Sequence, residues 1–172
     1  EDPKLAKGIV KREVVRVVTP GTNLNIQALE ESKNNYLMNI VYLTDEIGVS
    51  IADATTGDYY VTEVEDIKKL RDEIARYLPS EIICNDAFLV SGMELDELKD
   101  KYNIAVYSLE AWYFDDDNCK QILMKHFKVN SLKGLGLDEF PAGMIASGAL
   151  LQYLYQTQKS TLNHFTHIIP YH

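Results

Sequence analysis

Carboxylates are the residues in this chain with the most chemistry to offer. Asp53, Asp86 and the run Asp115, Asp116, Asp117 fall at predicted strand ends and helix starts. Two-metal phosphodiester cleavage would need several of them to converge on one pair of cations. Three other clusters invite a test. DDDN (115–118) is half of a calcium loop, but the glycine and distal glutamate that would complete it are missing. LKGLGLDEF (132–140) has a GxG but lacks the third glycine of a dinucleotide loop and the Lys-Ser/Thr of a P-loop. His164 and His167 are three residues apart, but no carboxylate or cysteine joins them nearby; His126 and His172 stand alone. Cys84 and Cys119 are too distant in sequence for a CxxC pair and read as buried thiols. No catalytic, cofactor or metal set emerges from this reading. The 11 tyrosines fall within strands and helix stripes, as packing residues rather than a stacking platform for bases.

The elements that must position these residues follow from periodicity. NYLMNIVYL (35–43) is apolar with almost no alternation, the pattern of a strand covered on both faces. VSIADA (49–54) and DYYVTEV (58–64) follow across short turns, which predicts an antiparallel meander. In DIKKLRDEIARYL, residues Ile67, Leu70, Ile74, Tyr77 and Leu78 recur at helical spacing, Asp66 can cap the start, and Pro79 stops it. PSEIICND is a fourth strand, GMELDELKDKYN a helix and IAVYSL a fifth strand. EAWYFDDDNCKQILMKHFKVN is helical, with Asp115, Asp116 and Asp117 at its dipole-favoured start and Cys119, Ile122, Leu123, His126 and Phe127 on one face. SLKGLGL is a loop, and Pro141 opens a last helix whose stripe includes Ile145, Ala149, Gln152 and Tyr155. Helical crossovers to the later strands imply parallel pairing. The result is an α/β chain with a mixed five-stranded sheet flanked by helices, the element order of the ribonuclease-H-like fold.

That fold raises the nuclease alternative. Nucleases built on it carry their first carboxylate inside the first strand, and here that strand holds Asn39. An amide cannot replace an anionic bridging ligand, Asp53 has no obvious partner, and Asp86 alone is no site, so nuclease activity is disfavoured. Composition points the same way. The chain has 172 residues, 46% hydrophobic and 25% charged, with a formal net charge of −9. Such a chain repels phosphates as a whole. Only KLAKGIVKREVVR is basic; its Lys4, Lys7, Lys11 and Arg12 are candidates for lying near a DNA backbone in a larger body. No run of 18 apolar residues suggests a membrane span, and EDPKLAKGIV has neither an initiator Met nor a targeting signal. An excerpt from a longer cytoplasmic protein is the expectation.

Three stretches carry a resemblance. VKREVVRVVTPGT, NNYLMNIVYLTDEIGVSIADATTGDYYVTE and SGALLQYLYQTQKSTLNHFTHIIPYH occur in this order along the whole chain. Together they resemble the MutS family of DNA mismatch-recognition proteins. The resemblance implies that residues 1–22 are the tail of the mismatch-binding domain, 23–128 the ribonuclease-H-like connector, and 129–172 the passage into the core or lever domain. It implies a last helix whose usual partners lie elsewhere; with Leu150, Leu151, Leu154 and Tyr155 left exposed, that helix could fold back on the sheet, fray, or pair between copies. It implies a rigid body between flexible joints at TPGTNLN and SLKGLGLDEFPAG.

What the resemblance places outside these residues matters as much. The family's mismatch-reading Phe-x-Glu is absent: Phe88, Phe114, Phe127, Phe140 and Phe165 are followed two residues on by Val90, Asp116, Val129, Ala142 and His167. ATP and Mg²⁺ belong to the parent's ATPase domain, so no cofactor is expected here. The implied partners are mispaired duplex DNA through the parent, the other domains of the same chain, and MutL, the next repair protein. The implied MutL face is the helix around 116–127, with Asp117, Lys120, Gln121, Met124 and Lys125 outward. A monomeric fragment of a dimeric parent is expected.

Overall fold

A computed structural model of the chain describes residues 35–158 and 162–172. Strand β1 (Tyr36–Tyr42) lies at the sheet's centre, and every residue of β2 (Ile47–Asp53) beside it is buried. The pair is antiparallel, with Asn39 opposite Ser50, and the turn between them closes through Leu43 N–H to the Glu46 carbonyl at 3.0 Å. Strand β3 (Tyr59–Val64) completes the meander across a turn built by Asp53, whose Oδ1 accepts from Thr55 N at 2.8 Å and Thr56 N at 3.3 Å. Gly57 in that turn has φ +85, which favours glycine, and a Cβ there would stand 2.4 Å from the His164 carbonyl oxygen.

Helix α1 (Ile67–Tyr77) starts at Asp66, whose side chain accepts from Lys69 N at 2.8 Å, and ends with Leu78 in the left-handed region ahead of Pro79. It crosses to β4 (Glu81–Cys84), which pairs parallel with β1. Short α2 (Asp86–Leu89) and α3 (Leu95–Tyr102) lead to β5 (Ala105–Ser108), parallel to β4. A 3₁₀ turn (Ala111–Phe114) precedes α4 (Asp116–Phe127); another (Leu132–Leu135) precedes α5 (Pro141–Thr157).

Side chains alternate across the strands and build two cores. Met38, Ile40, Val49, Ile51 and Ile82 pack with Leu70, Ile74, Phe88 and Leu98 on the face of α1, α2 and α3. Tyr59, Val61 and Ile83 pack with Leu123, Leu150, Leu151 and Leu154 on the face of α4 and α5. The fold is the ribonuclease-H-like arrangement the sequence predicts, with one addition. Among the described residues the sheet has six strands, in order β5-β4-β1-β2-β3-β6, because Ile169–Pro170 (β6) pairs parallel with β3. Proline fits there because an edge strand need not donate on its outer side.

Of the outcomes open to helix α5 it takes the fold back onto the sheet, which corrects the expected exposure of its leucines. Leu150 and Leu151 are 0% exposed and Leu154 is 1% exposed; Tyr155 alone of the four is open. The helix is apolar all round because it lies between the sheet and α4. Small residues allow that depth: a Cβ on Gly148 would meet Cys119 Cβ at 2.4 Å, and one on Gly143 would meet Val61 Cγ1 at 2.7 Å. Most of the expected stripe is its less buried side, since Ile145 and Gln152 are half-buried and Tyr155 exposed. The segment SLKGLGLDEFPAG is likewise no loose joint: Leu137 and Phe140 are buried, and Leu137 N–H donates to the Leu132 carbonyl at 3.0 Å. TPGTNLN lies outside the described residues. Among the described residues, no helix is long and apolar enough to cross a membrane.

Candidate functional site

The centre of the sheet is where chemistry would have to begin in this fold. Asn39 is completely buried there. Its Nδ2 donates to the Ala146 carbonyl of α5 at 2.8 Å, and Ser50 Oγ on the neighbouring strand donates to the same oxygen at 2.8 Å. Asn39 Oδ1 has no hydrogen-bond partner among the described residues. A metal ligand must meet solvent and substrate, whereas this side chain is sealed beneath a helix. Of the other acids, Asp53 and Asp115 do structural work and Asp86 is exposed to solvent. Asp53 organises the β2–β3 turn, and Asp86 sits exposed on α2 beside Asn85, whose amide bridges the backbone N–H and carbonyl of Tyr42. Asp115 is the N-cap of α4, accepting from Asn118 N at 3.0 Å. Among the described residues, no three of His, Cys, Asp and Glu are grouped to hold a metal ion. The nuclease alternative finds no support.

The histidines and thiols are similarly occupied. His164 Nε2 meets the Ala54 carbonyl, His167 meets Thr166 Oγ1 at 2.8 Å, and His172 stacks on Phe140. Both cysteines are free and buried. Burial pushes each thiol up to about 12, with Asp86 adding to the effect at Cys84 and Asp115 and Asp116 at Cys119. Neither is poised as a nucleophile.

What the fold presents outward is α4. Cys119 and Leu123 bury its inner side against α5. Asp117, Gln121 and Lys125 are exposed on the other side, with Lys120 and Met124 half-buried between them. The five residues therefore share one helix whose inner face is anchored. Lys120 Nζ lies 3.2 Å from Asp116 Oδ1, an exposed i,i+4 pair that contributes little stability. Sequence reasoning missed Trp112, 43% exposed and stacked on Tyr113 just ahead of the helix. A lone tryptophan in an acidic stretch was the available signal. Lys4, Lys7, Lys11 and Arg12 lie outside the described residues.

The support beneath α4 depends on how α5 is docked. Phe140 cannot cap α5 with its side chain, so Glu63 on β3 does: its Oε2 accepts from Ala142 N at 2.7 Å and Gly143 N at 2.9 Å. Burial raises the Glu63 carboxyl and the nearby Glu46 carboxylate raises it further, while the two N–H donors oppose the shift.

Residues 35–166 match the family model described as MutS domain II. The chain is 57% identical over 171 residues to the DNA mismatch repair protein MutS of Lachnoclostridium phytofermentans, covering 99% of this chain and 18% of that protein. It is 46% identical over 167 residues to the MutS of Ruminiclostridium cellulolyticum (95% and 19%) and 38% identical over 172 residues to that of Protochlamydia amoebophila (99% and 20%). It therefore spans about one fifth of the length of these curated relatives. With a ribonuclease-H-like sheet whose centre is sealed, and a family model running through β1 to β5 and the last helix, this chain belongs to the MutS domain II family.

Proposed function

We propose that the domain is the connector of a MutS-type mismatch-repair protein, a rigid body that transmits position rather than a catalyst. The observation supporting this most is the sealed sheet: α5 fills the face above Asn39 and Ser50, and leaves α4 as an anchored outer surface. In this reading the parent binds mispaired duplex DNA and hydrolyses ATP with Mg²⁺ in other domains, acts as a dimer in the cytoplasm, and moves this body between DNA-bound and ATP-bound arrangements. The isolated chain is a monomer. Lys4, Lys7, Lys11 and Arg12 approach the DNA backbone only in the intact parent.

The outer face of α4 is the docking surface for MutL, through Asp117, Lys120, Gln121, Met124 and Lys125. These side chains are exposed or half-exposed and held on an element that does not need to rearrange, which lowers the ordering cost of association. The test is calorimetric titration with the N-terminal domain of the cognate MutL. Lys120→Glu combined with Gln121→Ala weakens binding by about tenfold, or roughly 1.4 kcal/mol, with the melting temperature unchanged. Wild-type affinity in that variant removes these residues from the interface.

A further inference from the structure

A second surface lies around the end of α4. A groove of about 780 Å³ opens between the C-terminal ends of α4 and α5 and the segment 163–166. Half-buried Phe127 forms its apolar base, backed by Phe165, which is only 2% exposed; both rings are held edge-on to the buried Tyr59 ring, at 6.1 and 5.5 Å between centroids. Ile122 extends the base and the half-open Tyr155 ring forms a wall. Lys125 and Lys128 are exposed on the rim, and neither has a carboxylate within ion-pair distance among the described residues. Among the described residues, no aspartate or glutamate lines the groove. In a chain of net charge −9, this is a local reversal of sign beside the open Tyr155 ring and the half-buried Phe127.

We propose that this groove docks an extended acidic peptide segment that lays one bulky apolar side chain against Phe127, Ile122 and the open Tyr155 ring. Charge complementarity selects the occupant. Two unpaired lysines suit carboxylates on either side of an anchor residue, whereas a nucleic acid backbone needs several phosphate contacts to overcome an acidic body. The carbonyl end of the α4 dipole repels any anion here, peptide or nucleic acid alike, so the two lysines must outweigh it. That dipole accounts for cations in the last turn, but not for aromatic surface left open beside them.

The walls are fixed before a ligand arrives. His126 Nε2 donates to the Phe165 carbonyl at 2.9 Å, and its Nδ1 meets the Tyr155 hydroxyl. One imidazole thus ties α4, α5 and the following segment together, and a preformed groove spends less of its binding free energy on ordering. The surface is separate from the MutL face in all but Lys125, and the inference does not depend on MutL docking.

The test is an NMR titration of the ¹⁵N-labelled chain with acetyl-Glu-Asp-Leu-Phe-Asp-Glu-amide, against the neutral acetyl-Gln-Asn-Leu-Phe-Asn-Gln-amide and a short DNA duplex. The acidic peptide shifts the amides of 122–128, 155 and 163–166, and the neutral peptide binds about tenfold more weakly. Lys128→Glu, which lies off the proposed MutL face, weakens the acidic peptide roughly fivefold and leaves MutL affinity unchanged. Equal binding of the two peptides, tighter binding of the duplex at these residues, or concentration-dependent shifts there without any peptide each overturn the proposal. Failure of MutL to bind leaves it standing if the peptide shifts are seen.

Discussion

Replacing Asn39 with Asp tests whether the centre of the sheet is sealed. In the wild type the amide donates to the Ala146 carbonyl from a position with no solvent access. An aspartate there is nearly isosteric, but its ionised form faces a carbonyl oxygen and has no cation to meet. Desolvation raises a fully buried carboxyl by up to about 3–5 units. Taking roughly 3 units above an unfolded value near 3.9, at about 1.36 kcal/mol each, the fold loses roughly 4 kcal/mol at pH 7.5. The sign follows from the raised pKa. The folded protein holds the proton more tightly than the unfolded chain, so the variant is most stable below the unfolded pKa and loses stability as pH rises toward the folded one. At about 2–4 °C per kcal/mol for a chain of this size, Asn39→Asp melts roughly 8–16 °C below wild type at pH 7.5. Near pH 4.5 the gap closes to a few degrees. The assay is thermal unfolding of both proteins across this range, with and without Mg²⁺ or Mn²⁺. A constant gap between the two proteins at all pH values, or recovery of the variant on adding metal, would refute the reasoning, because either result requires a carboxylate open to solvent and cations.

Other outcomes follow from the packing of α5. Gly148→Ala improves intrinsic helix propensity by about 1 kcal/mol, yet it places a Cβ 2.4 Å from Cys119 Cβ and 2.6 Å from its Cα. Overpacking against atoms that cannot rotate away outweighs the gain, so the variant loses about 2 kcal/mol, and Cys119→Ala does not rescue it because the Cβ remains; a denaturant melt at or above the wild-type midpoint contradicts this. Glu46→Gln removes the charge that adds to the raised pKa of Glu63. Glu63 destabilises the fold as pH rises through that raised pKa, so the substitution stabilises at pH 7 by a solvent-screened ~0.5 kcal/mol and gives no gain at pH 4, which paired melts at the two pH values will read.

Much of the sheet was legible because local signals agreed with the tertiary outcome. The unbroken apolar run of β1, the short turns on either side of β2, and the Asp66 and Pro79 boundaries of α1 each have one plausible structural reading. Helix α5 was harder. A helix apolar on every side carries no stripe to say where it packs, and Gly143 and Gly148 gain meaning only once Val61 and Cys119 are known to lie against them. Strand β6 is two residues long and owes its place to β3: Tyr171 N–H donates to the Val61 carbonyl at 2.9 Å, and Thr62 Oγ1 donates to the Tyr171 carbonyl at 2.7 Å. No local pattern announces such a strand. At the candidate face, helical periodicity sufficed to put Asp117, Gln121 and Lys125 outward. The groove was hidden because it joins residues from 122 to 166, and its cations read in isolation as ordinary helix-end charges.

The same frame relates stability to function. A connector must hold its surfaces in fixed relation, and here one small-residue helix does so by touching β1, β2, β3 and α4 together. Asn39 and Ser50 fix its height above the sheet, and Glu63 fixes its start. Damage to α5 should therefore reach α4 before it reaches the opposite core of α1 and α3.

The most direct test of the connector reading is a titration of the ¹⁵N-labelled chain with the N-terminal domain of the cognate MutL, with a mismatched duplex as the control. The account predicts localised shifts on residues 116–127 with MutL and none on those residues with DNA. Strong shifts with the duplex on the described domain, and none with MutL, would contradict it.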